Sequence, residues 1–395
     1  MSGIMNSIYN NTLFALSRHT EALFMLQEQA TTGSRINRPS DDPSAAAGIL
    51  NLQSENAVFA NYIETLTEAN SILNVSSSVL QQITSALNQA KTSVTQVTSG
   101  TYDDESRQRT AEAIDNTLEQ LVQLANTKHN GQYLFGGSDT DSAPFVVERS
   151  DGQIISVTYQ GSNENLNVNV APGVSSSAFY AGSDLFYSND RSTPVFSGHT
   201  GAAAGTGTSS VTGNVWLTVD LDGADYKISI DDGATWTAVP SGGSANQQVT
   251  DSRTGKVLYV DTTGITGTGT DLVQVPGTHD IFNILITIRD ILNNARGFSD
   301  SQLLQLRSDA ISSFDEIQNL LVQKQVSVGS RIGFLNNLQT GLDEVKINNQ
   351  IQADEIQQAD IAQISIDLAR HQALYEMSLA VASKLMSMSL LDFIY

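Results

Sequence analysis

Near the end of the chain, Ile361, Ile364, Leu368, His371, Tyr375, Ser378, Ala382, Leu385 and Ser389 recur at alternating steps of three and four. A second stripe, Leu374, Met377, Val381, Lys384, Met388 and Leu391, runs beside it. Such spacing keeps one helix face against a partner helix, and two adjacent stripes imply partners on more than one side. Upstream, Leu303, Leu306, Ala310, Ser313, Ile317 and Leu320 repeat the pattern, continued by Val328, Ile332, Leu335, Leu338 and Leu342. At the opposite end Leu13, Leu16, Thr20, Leu23, Gln27 and Ala30 hold the same steps less cleanly. Helical periodicity far beyond ~25 residues favours a coiled coil over globular helix packing. At about 1.5 Å per residue, a helix of roughly 50 residues reaches roughly 75 Å. Stripes at both ends can pair only if the middle of the chain loops out and returns. That geometry is a rod with a lobe.

Composition agrees. Residues 1–130 are rich in Ala, Leu, Gln, Ser and Asn, with prolines only at Pro39 and Pro43. Residues 132–279 turn to Gly, Thr, Ser, Val and Asp and carry every other proline. From Asp280 onward the first style returns without proline. The expected fold class is α+β: an elongated α-helical coiled-coil rod formed by N- and C-terminal arms, with an inserted β-rich outer domain. The boundaries read as an N-terminal inner-layer arm over 1–42, a helical rod segment over 43–131, the β-rich domain over 132–279, a second rod segment over 280–345, and a C-terminal inner-layer arm over 346–395.

Within the centre, residues 215–220 alternate in polarity, Asp222-Gly223 supplies a tight turn, and residues 226–230 alternate back. Asp232-Gly233 turns the chain again before a strand over 234–239. Residues 155–159 and 166–170 read as an earlier strand pair, and 197–213 as a flexible surface loop.

Several functions start at a disadvantage. Lys and Arg number 20 against 42 Asp and Glu, a formal charge of −22, which repels phosphate backbones and anionic headgroups. Neither nucleic acid nor membrane is expected as a partner. There is no cysteine, so thiolate nucleophiles, disulfides and cysteine-ligated metals are excluded. The first ten residues lack the basic and apolar regions of a secretory signal, so any export is expected to proceed without a cleaved one. His19, His129, His199, His279 and His371 have no partners at metal-ligand spacing, and His371 reads as a packed or interface residue. The run Asp220-Leu-Asp-Gly-Ala-Asp225 lacks most calcium-loop ligands and reads as a turn. Gly205-Thr-Gly207 and Gly267-Thr-Gly269 read as loops, and no nucleophile elbow stands out. No catalytic residue, cofactor or metal is expected, and the chain is not expected to be an enzyme.

The segment Gly33-Ser-Arg-Ile-Asn-Arg-Pro-Ser-Asp-Asp-Pro-Ser-Ala-Ala-Ala47 resembles the N-terminal signature of the flagellin-like axial proteins of the bacterial flagellum. Its Arg-Pro-Ser-Asp-Asp-Pro form looks more like the hook-associated members of that family than like flagellin. Gly131-Gln-Tyr-Leu-Phe-Gly-Gly137, Pro144-Phe145 and Tyr159-Gln-Gly161 are similar to the entry into the outer domain of those members, and the closing Ser-Leu-Leu-Asp run fits their terminal helix. The motif also has a local physical reading. Pro39 and Pro43 bias Arg38 and Asp42 away from helix, Asp42 can cap a new helix with Pro43 at its first position, and Asp41 favours the positive helix end. Arg35, Asn37, Pro39, Ser40, Asp41, Asp42 and Pro43 thus form a stiff joint, with contacts to neighbouring subunits as the alternative use of Arg35, Asp41 and Asp42.

The resemblance implies a structural protein of the hook–filament junction that assembles with copies of itself by screw-related contacts. Its implied neighbours are another hook-associated protein and flagellin. It also implies export through the flagellar type III channel to the cell exterior, with a dedicated chaperone holding the C-terminal region. Ile361, Ile364, Leu368, Tyr375, Ala382 and Leu385 are the expected assembly stripe, and Leu379, Leu385, Met388, Leu390, Leu391 and Phe393 the expected chaperone and export segment. A flagellin filament subunit, or a secreted adhesin with a helical stalk and β head, are the alternatives.

Overall fold

The computed structural model describes residues 2–98, 104–294 and 296–394, and for residues 2–6, 9, 98 and 385–394 the backbone alone. In chain order the elements begin with helices α1 (Ser2–Thr32), α2 (Pro43–Thr98) and α3 (Asp104–Ala125). Strands β1 (Lys128–His129), β2 (Gln132–Tyr133), β3 (Phe145–Ser150), β4 (Gln153–Tyr159), β5 (Leu166–Ala171) and β6 (Val174–Phe179) follow, then the short helix α4 (Gly182–Phe186). Next come β7 (Val195–Ser197), β8 (Ala203–Ala204), β9 (Gly213–Asp222), β10 (Asp225–Ser229), β11 (Thr237–Ala238), β12 (Gln247–Thr250), β13 (Val257–Asp261) and β14 (Gly269–Val275). Helices α5 (Ile281–Asn293), α6 (Asp300–Gln357) and α7 (Ile361–Ile394) close the chain. The fold is therefore α+β, with long helices at both ends and a β-rich middle. It divides into two compact units, Met1–Glu64 with Leu338–Tyr395, and Thr65–Asn337.

In the larger unit, α2 shows why a helix this long persists. Leu66, Leu73, Leu80, Leu87 and Val94 recur every seven residues, with Ala69, Ser76, Ile83, Ala90 and Val97 at the intermediate step, and all ten are buried. That is a full heptad seam. Polar groups on its border tie it to α6: Gln325 donates to the Leu80 carbonyl at 3.2 Å and to Thr84 at 2.6 Å, and Lys91 pairs with Asp315. On α6 the expected stripe holds, with Leu303, Leu306, Ala310, Ser313, Ile317, Val328 and Leu335 buried and Leu320 half-buried.

Helix α5 packs against α3 on one side and against β4 and β9 on others. Accordingly its Ile281, Phe282, Ile284, Leu285, Ile288, Ile291 and Leu292 are all buried, leaving little polar face. Its start is capped by Asp280, which accepts from the amides of Phe282 and Asn283 at 2.9 and 2.8 Å. Just before it, buried His279 meets Glu316 at 2.9 Å, Asn214 at 3.1 Å and Ser313 at 3.1 Å. The histidine is a satisfied core group that ties strand and helix.

The three glycine-aromatic fragments singled out in the sequence converge. Phe135 lies 5.1 Å from Phe186, and Phe145 lies 5.2 Å from Tyr159, 5.7 Å from Phe186 and 5.1 Å from Phe282, ring centre to ring centre. The Tyr159 hydroxyl accepts from the Gly182 amide at 3.1 Å and donates to the Ser162 carbonyl at 2.7 Å. Glycine is required at 182, where a Cβ would come within 2.6 Å of the Phe145 ring.

The strand reading of the centre needs two corrections. Residues 155–159 and 166–170 do not pair with each other: β4 pairs with β3, and β5 with β6, each as an antiparallel hairpin. The cause is local turn chemistry. Asp151 and Gly152 both take positive φ (50° and 85°), closing the first hairpin, and Pro172 followed by Gly173 at φ 72° closes the second. The glycine- and threonine-rich stretch 197–213 is not a loose loop. It contributes β8 to β13, buries Thr200, Ser209 and Val211, and Ser209 and Ser210 accept from the Tyr259 and Val257 amides at 3.0 and 2.7 Å. Hydroxyl-bearing residues here serve as side-chain rungs on a strand edge.

The expected hairpins around Asp222-Gly223 and Asp232-Gly233 do form, joining β9 to β10 and β10 to β11, although β11 is only two residues long. The sheet order is β11-β10-β9-β14-β7, beside a second sheet ordered β12-β13-β8. Leu217, Val219, Ile228, Val249, Leu258, Val260, Val273 and Val275 from both sheets join one buried cluster, so the sheets form a small sandwich.

Asp231 locks one end of this sandwich. Its carboxylate, 2% exposed, accepts from Thr235 (amide 2.9 Å, hydroxyl 2.6 Å), Ser252 (amide 3.2 Å, hydroxyl 2.7 Å) and the Ser229 hydroxyl (2.8 Å). Burial alone would raise its pKa, but the hydrogen bonds from Thr235, Ser252 and Ser229 outweigh it and hold the carboxyl far below the usual range. A carboxyl depressed on folding adds stability that is complete above its unfolded value of about 3.9 and is lost as pH falls toward its folded value. Asp231→Asn should therefore cost about 2–3 kcal/mol at neutral pH by stranding buried donors. In denaturant titrations repeated at falling pH below about 4, the gap between variant and wild type should narrow.

Candidate assembly interface

The smaller unit contains both chain ends and the proline-flanked motif. Helix α1 stops at Gly33, which takes φ 68° and returns its amide to the Gln29 carbonyl at 2.9 Å, a left-handed helix cap. The next residues form a single antiparallel rung with the end of α6: Arg35 donates its amide to the Gln357 carbonyl at 2.7 Å, and Ala359 donates to Gly33 at 3.0 Å. Residues 38–41 then close a turn, with the Asp41 amide bonded to the Arg38 carbonyl at 3.0 Å and Pro39 and Ser40 exposed at its tip.

Both aspartates of the motif are engaged locally. Asp41 accepts from the amides of Asn37 at 3.0 Å and Arg38 at 2.8 Å. Asp42 caps α2 by accepting from the Ala45 amide at 3.0 Å and pairs with Arg35 at 3.1 Å, with Pro43 at the first helical position. The Ala45 amide, and after it the Arg35 guanidinium, hold the Asp42 carboxyl below the usual carboxylate range. Arg35 also reaches the Ile356 carbonyl at 3.4 Å, and the Asn37 amide group donates to the Ser34 carbonyl at 3.2 Å. Beneath the turn, Ile36 is buried with Ala46 and Ile49 against Ala45 and Ile356. These contacts connect the end of α1, the start of α2 and the end of α6. Asp42→Ala should speed amide exchange at Ala45 and in the first turn of α2, measured residue by residue, with α6 unchanged.

The C-terminal helical arm differs in one respect from the sequence reading. Helix α6 runs through 345–346 without interruption, and the chain breaks at 358–360. There Asp360 restarts the helix by accepting from the Ala362 and Gln363 amides at 3.0 and 3.1 Å. An aspartate directly before an apolar run is a recognisable helix-start signal, and it is the one local cue that marks this break.

Helices α1 and α7 pack along each other, so the two arms do pair. His19 meets His371 across the seam, their Nδ1 atoms 3.2 Å apart. On α7 the stripe holding His371 is the covered one: Ile364 is buried, Leu368, Tyr375 and Ala382 are half-buried, and only Ile361 at its start is exposed. Leu385 of that stripe lies outside the described side chains. On α1 the seam follows Thr12, Ala15, Leu16, His19, Leu23 and Leu26, which leaves Leu13 outside. Pairing with α1 therefore occupies the stripe expected to serve assembly.

A large apolar surface stays uncovered. On α7 these residues are Met377 (59% exposed), Val381, Leu379 and Ile366. On α1, Phe14 and Phe24 are 67% and 69% exposed, with Leu13 and Met25 also outward. Leu13 and Phe24 lie three turns apart on one face, as do Phe14 and Met25. Leu50, Val58, Ile347 and Ile351 add to this set on α2 and α6 within the same unit. Of the expected chaperone and export residues, Leu379 is exposed, whereas Leu385, Met388, Leu390, Leu391 and Phe393 lie outside the described side chains. Among the described residues no helix is long and apolar enough to cross a membrane.

Residues 5–140 match the family model for the bacterial flagellin N-terminal helical region. The chain is 33% identical over 123 residues to flagellar hook-associated protein 3 of Escherichia coli, which covers 31% of this chain and 39% of that protein. It is 29% identical over 139 residues to flagellar hook-associated protein 3 of Salmonella typhimurium, covering 35% and 44%. The matched stretch thus spans about two fifths of those relatives. The crystal structure of flagellar hook-associated protein-3 from Legionella pneumophila superposes with a TM-score of 0.53 at 16% identity, over 78% of this chain and 98% of that one, a likeness of fold. The chain resembles flagellar hook-associated protein 3, and the start of the chain resembles the N-terminal region of flagellin.

Proposed function

We propose that this chain is a structural, non-enzymatic component of the bacterial flagellum that assembles at the hook–filament junction and joins a neighbouring hook-associated protein to the flagellin filament. The observation that carries the reading is the apolar surface left open on α1 and α7 after they have paired with each other. A helix pair with apolar side chains on more than its mutual seam needs neighbours. Contacts between different faces of successive copies are head-to-tail, and they close into rings or continue as helical walls. The resemblance to hook-associated protein 3 supports this over a filament subunit or an adhesin stalk.

In this reading Arg35, Asp41 and Asp42 serve first as the internal joint, which sets the direction of the arms. The partners are further copies of the chain, another hook-associated protein, flagellin and an export chaperone that shields the C-terminal helix before assembly. Its place of assembly is the cell exterior. A part that stands in series between hook and filament is indispensable to the filament. In a strain lacking the gene, hooks should persist without filaments and filament protein should be shed into the medium. The full chain supplied in trans should restore filaments. Filaments of normal length in the deletion strain would overturn the proposal.

A further inference from the structure

The pair His19 and His371 joins residues from opposite ends of the chain, with ring centres 5.4 Å apart and planes inclined at 57°. Both rings are half-buried in the α1–α7 seam. Nothing in the assembly reading uses two imidazoles there, since leucine or alanine fills such seam positions equally well. Two neutral imidazoles meeting through the same ring nitrogen share one proton and make one hydrogen bond. A metal ion also fits that separation. With Zn–N bonds of about 2.0–2.1 Å, nitrogens 3.2 Å apart subtend about 100–106° at the ion, near the tetrahedral angle of about 109°.

We propose that His19 and His371 form a two-imidazole clamp for a divalent transition-metal ion of the zinc class, which pins the N-terminal arm to the C-terminal arm. Both Nδ1 lone pairs ligate the ion, and the proton of the donor tautomer moves to Nε2. Among the described residues no group of three or more His, Cys, Asp or Glu is placed to hold a metal, so water or a group from a neighbouring subunit completes the coordination. Asp367, one turn before His371, is engaged by the Gln363 side chain at 3.0 Å. Imidazole ligands select zinc, nickel and copper over magnesium and calcium. Because the ligands sit on separate helices, the ion binds only the paired form and shifts the arms toward pairing. Protons compete for the same lone pairs, so binding weakens on acidification.

The test is calorimetric titration of the chelator-stripped, full-length monomer with zinc chloride, read together with amide exchange along α1 and α7. One zinc per chain and no magnesium should bind. At a zinc concentration 100 times the dissociation constant, opening of the arm pair should fall about 100-fold. His19→Gln and His371→Gln should each abolish the effect, while His129→Gln retains it. Because a variant could loosen the seam by itself, the 15N shifts of the His19 and His371 Nδ1 atoms are followed in the wild type during the titration. Both should move together. Absence of binding up to millimolar zinc, binding unchanged in both variants, or unmoved Nδ1 shifts would each overturn the proposal.

Discussion

Glutamate at Met377 and Val381 together is expected to abolish self-assembly while leaving the monomer folded. Both side chains are about half exposed or more on α7 and lie on the stripe that α1 does not cover. Burial of each against a neighbouring copy contributes roughly 1.5–3 kcal/mol, and a buried unpaired carboxylate opposes association further. A loss of about 4 kcal/mol per contact is about a thousandfold in the association constant. Sedimentation and electron microscopy of purified chain should show assemblies for the wild type and monomers for the double variant, with equal helical circular dichroism. Trp236→Glu, at an exposed position of the sandwich, should leave assembly intact and serves as the control.

The second large effect concerns the larger unit. Arg289 on α5 is 3% exposed, and it pairs with Asp115 on α3 at 2.8 Å, with Asp290 at 3.0 Å, and with the Ile154 carbonyl of β4 at 2.7 Å. One guanidinium thus ties a helix, its partner helix and a strand. Burial pushes the Asp290 carboxyl up, and the Arg289 charge beside it opposes that rise. Arg289→Met strands two carboxylates and a carbonyl, and should cost about 3–5 kcal/mol, read as a fall in the urea midpoint. Adding Asp115→Leu and Asp290→Leu should recover much of that loss, because an apolar replacement of a mostly buried ion cluster is often neutral.

Legibility followed the range of the interactions. The stripes of α6 and α7, the Asp42 cap and the Asp-Gly turns are written in residues within a few positions of one another, and they were readable. The heptad Leu66 through Val94 on α2 is likewise a local pattern, a strict seven-residue repeat. The pairing of β14 with β9 joins residues some fifty positions apart, and no local pattern announces it. Residues 155–159 and 166–170 alternate alike, but Asp151-Gly152 and Pro172-Gly173 each close a hairpin with a nearer partner strand, so the two segments belong to different hairpins. His279 has Asp280 beside it in the sequence, yet that carboxylate caps α5, and the hydrogen-bonded partner Glu316 arrives only through the packing of α6. Which α7 stripe the chain uses internally depended on the register of α1, fixed by His19 rather than by Leu13.

The proposed place of this chain is the junction of hook and filament. Immunogold labelling of intact flagella with antibody raised against residues 132–279 tests it most directly. The account predicts a discrete label at the boundary between hook and filament. Label along the whole filament would make the chain a filament subunit, and flagella without label would contradict the account.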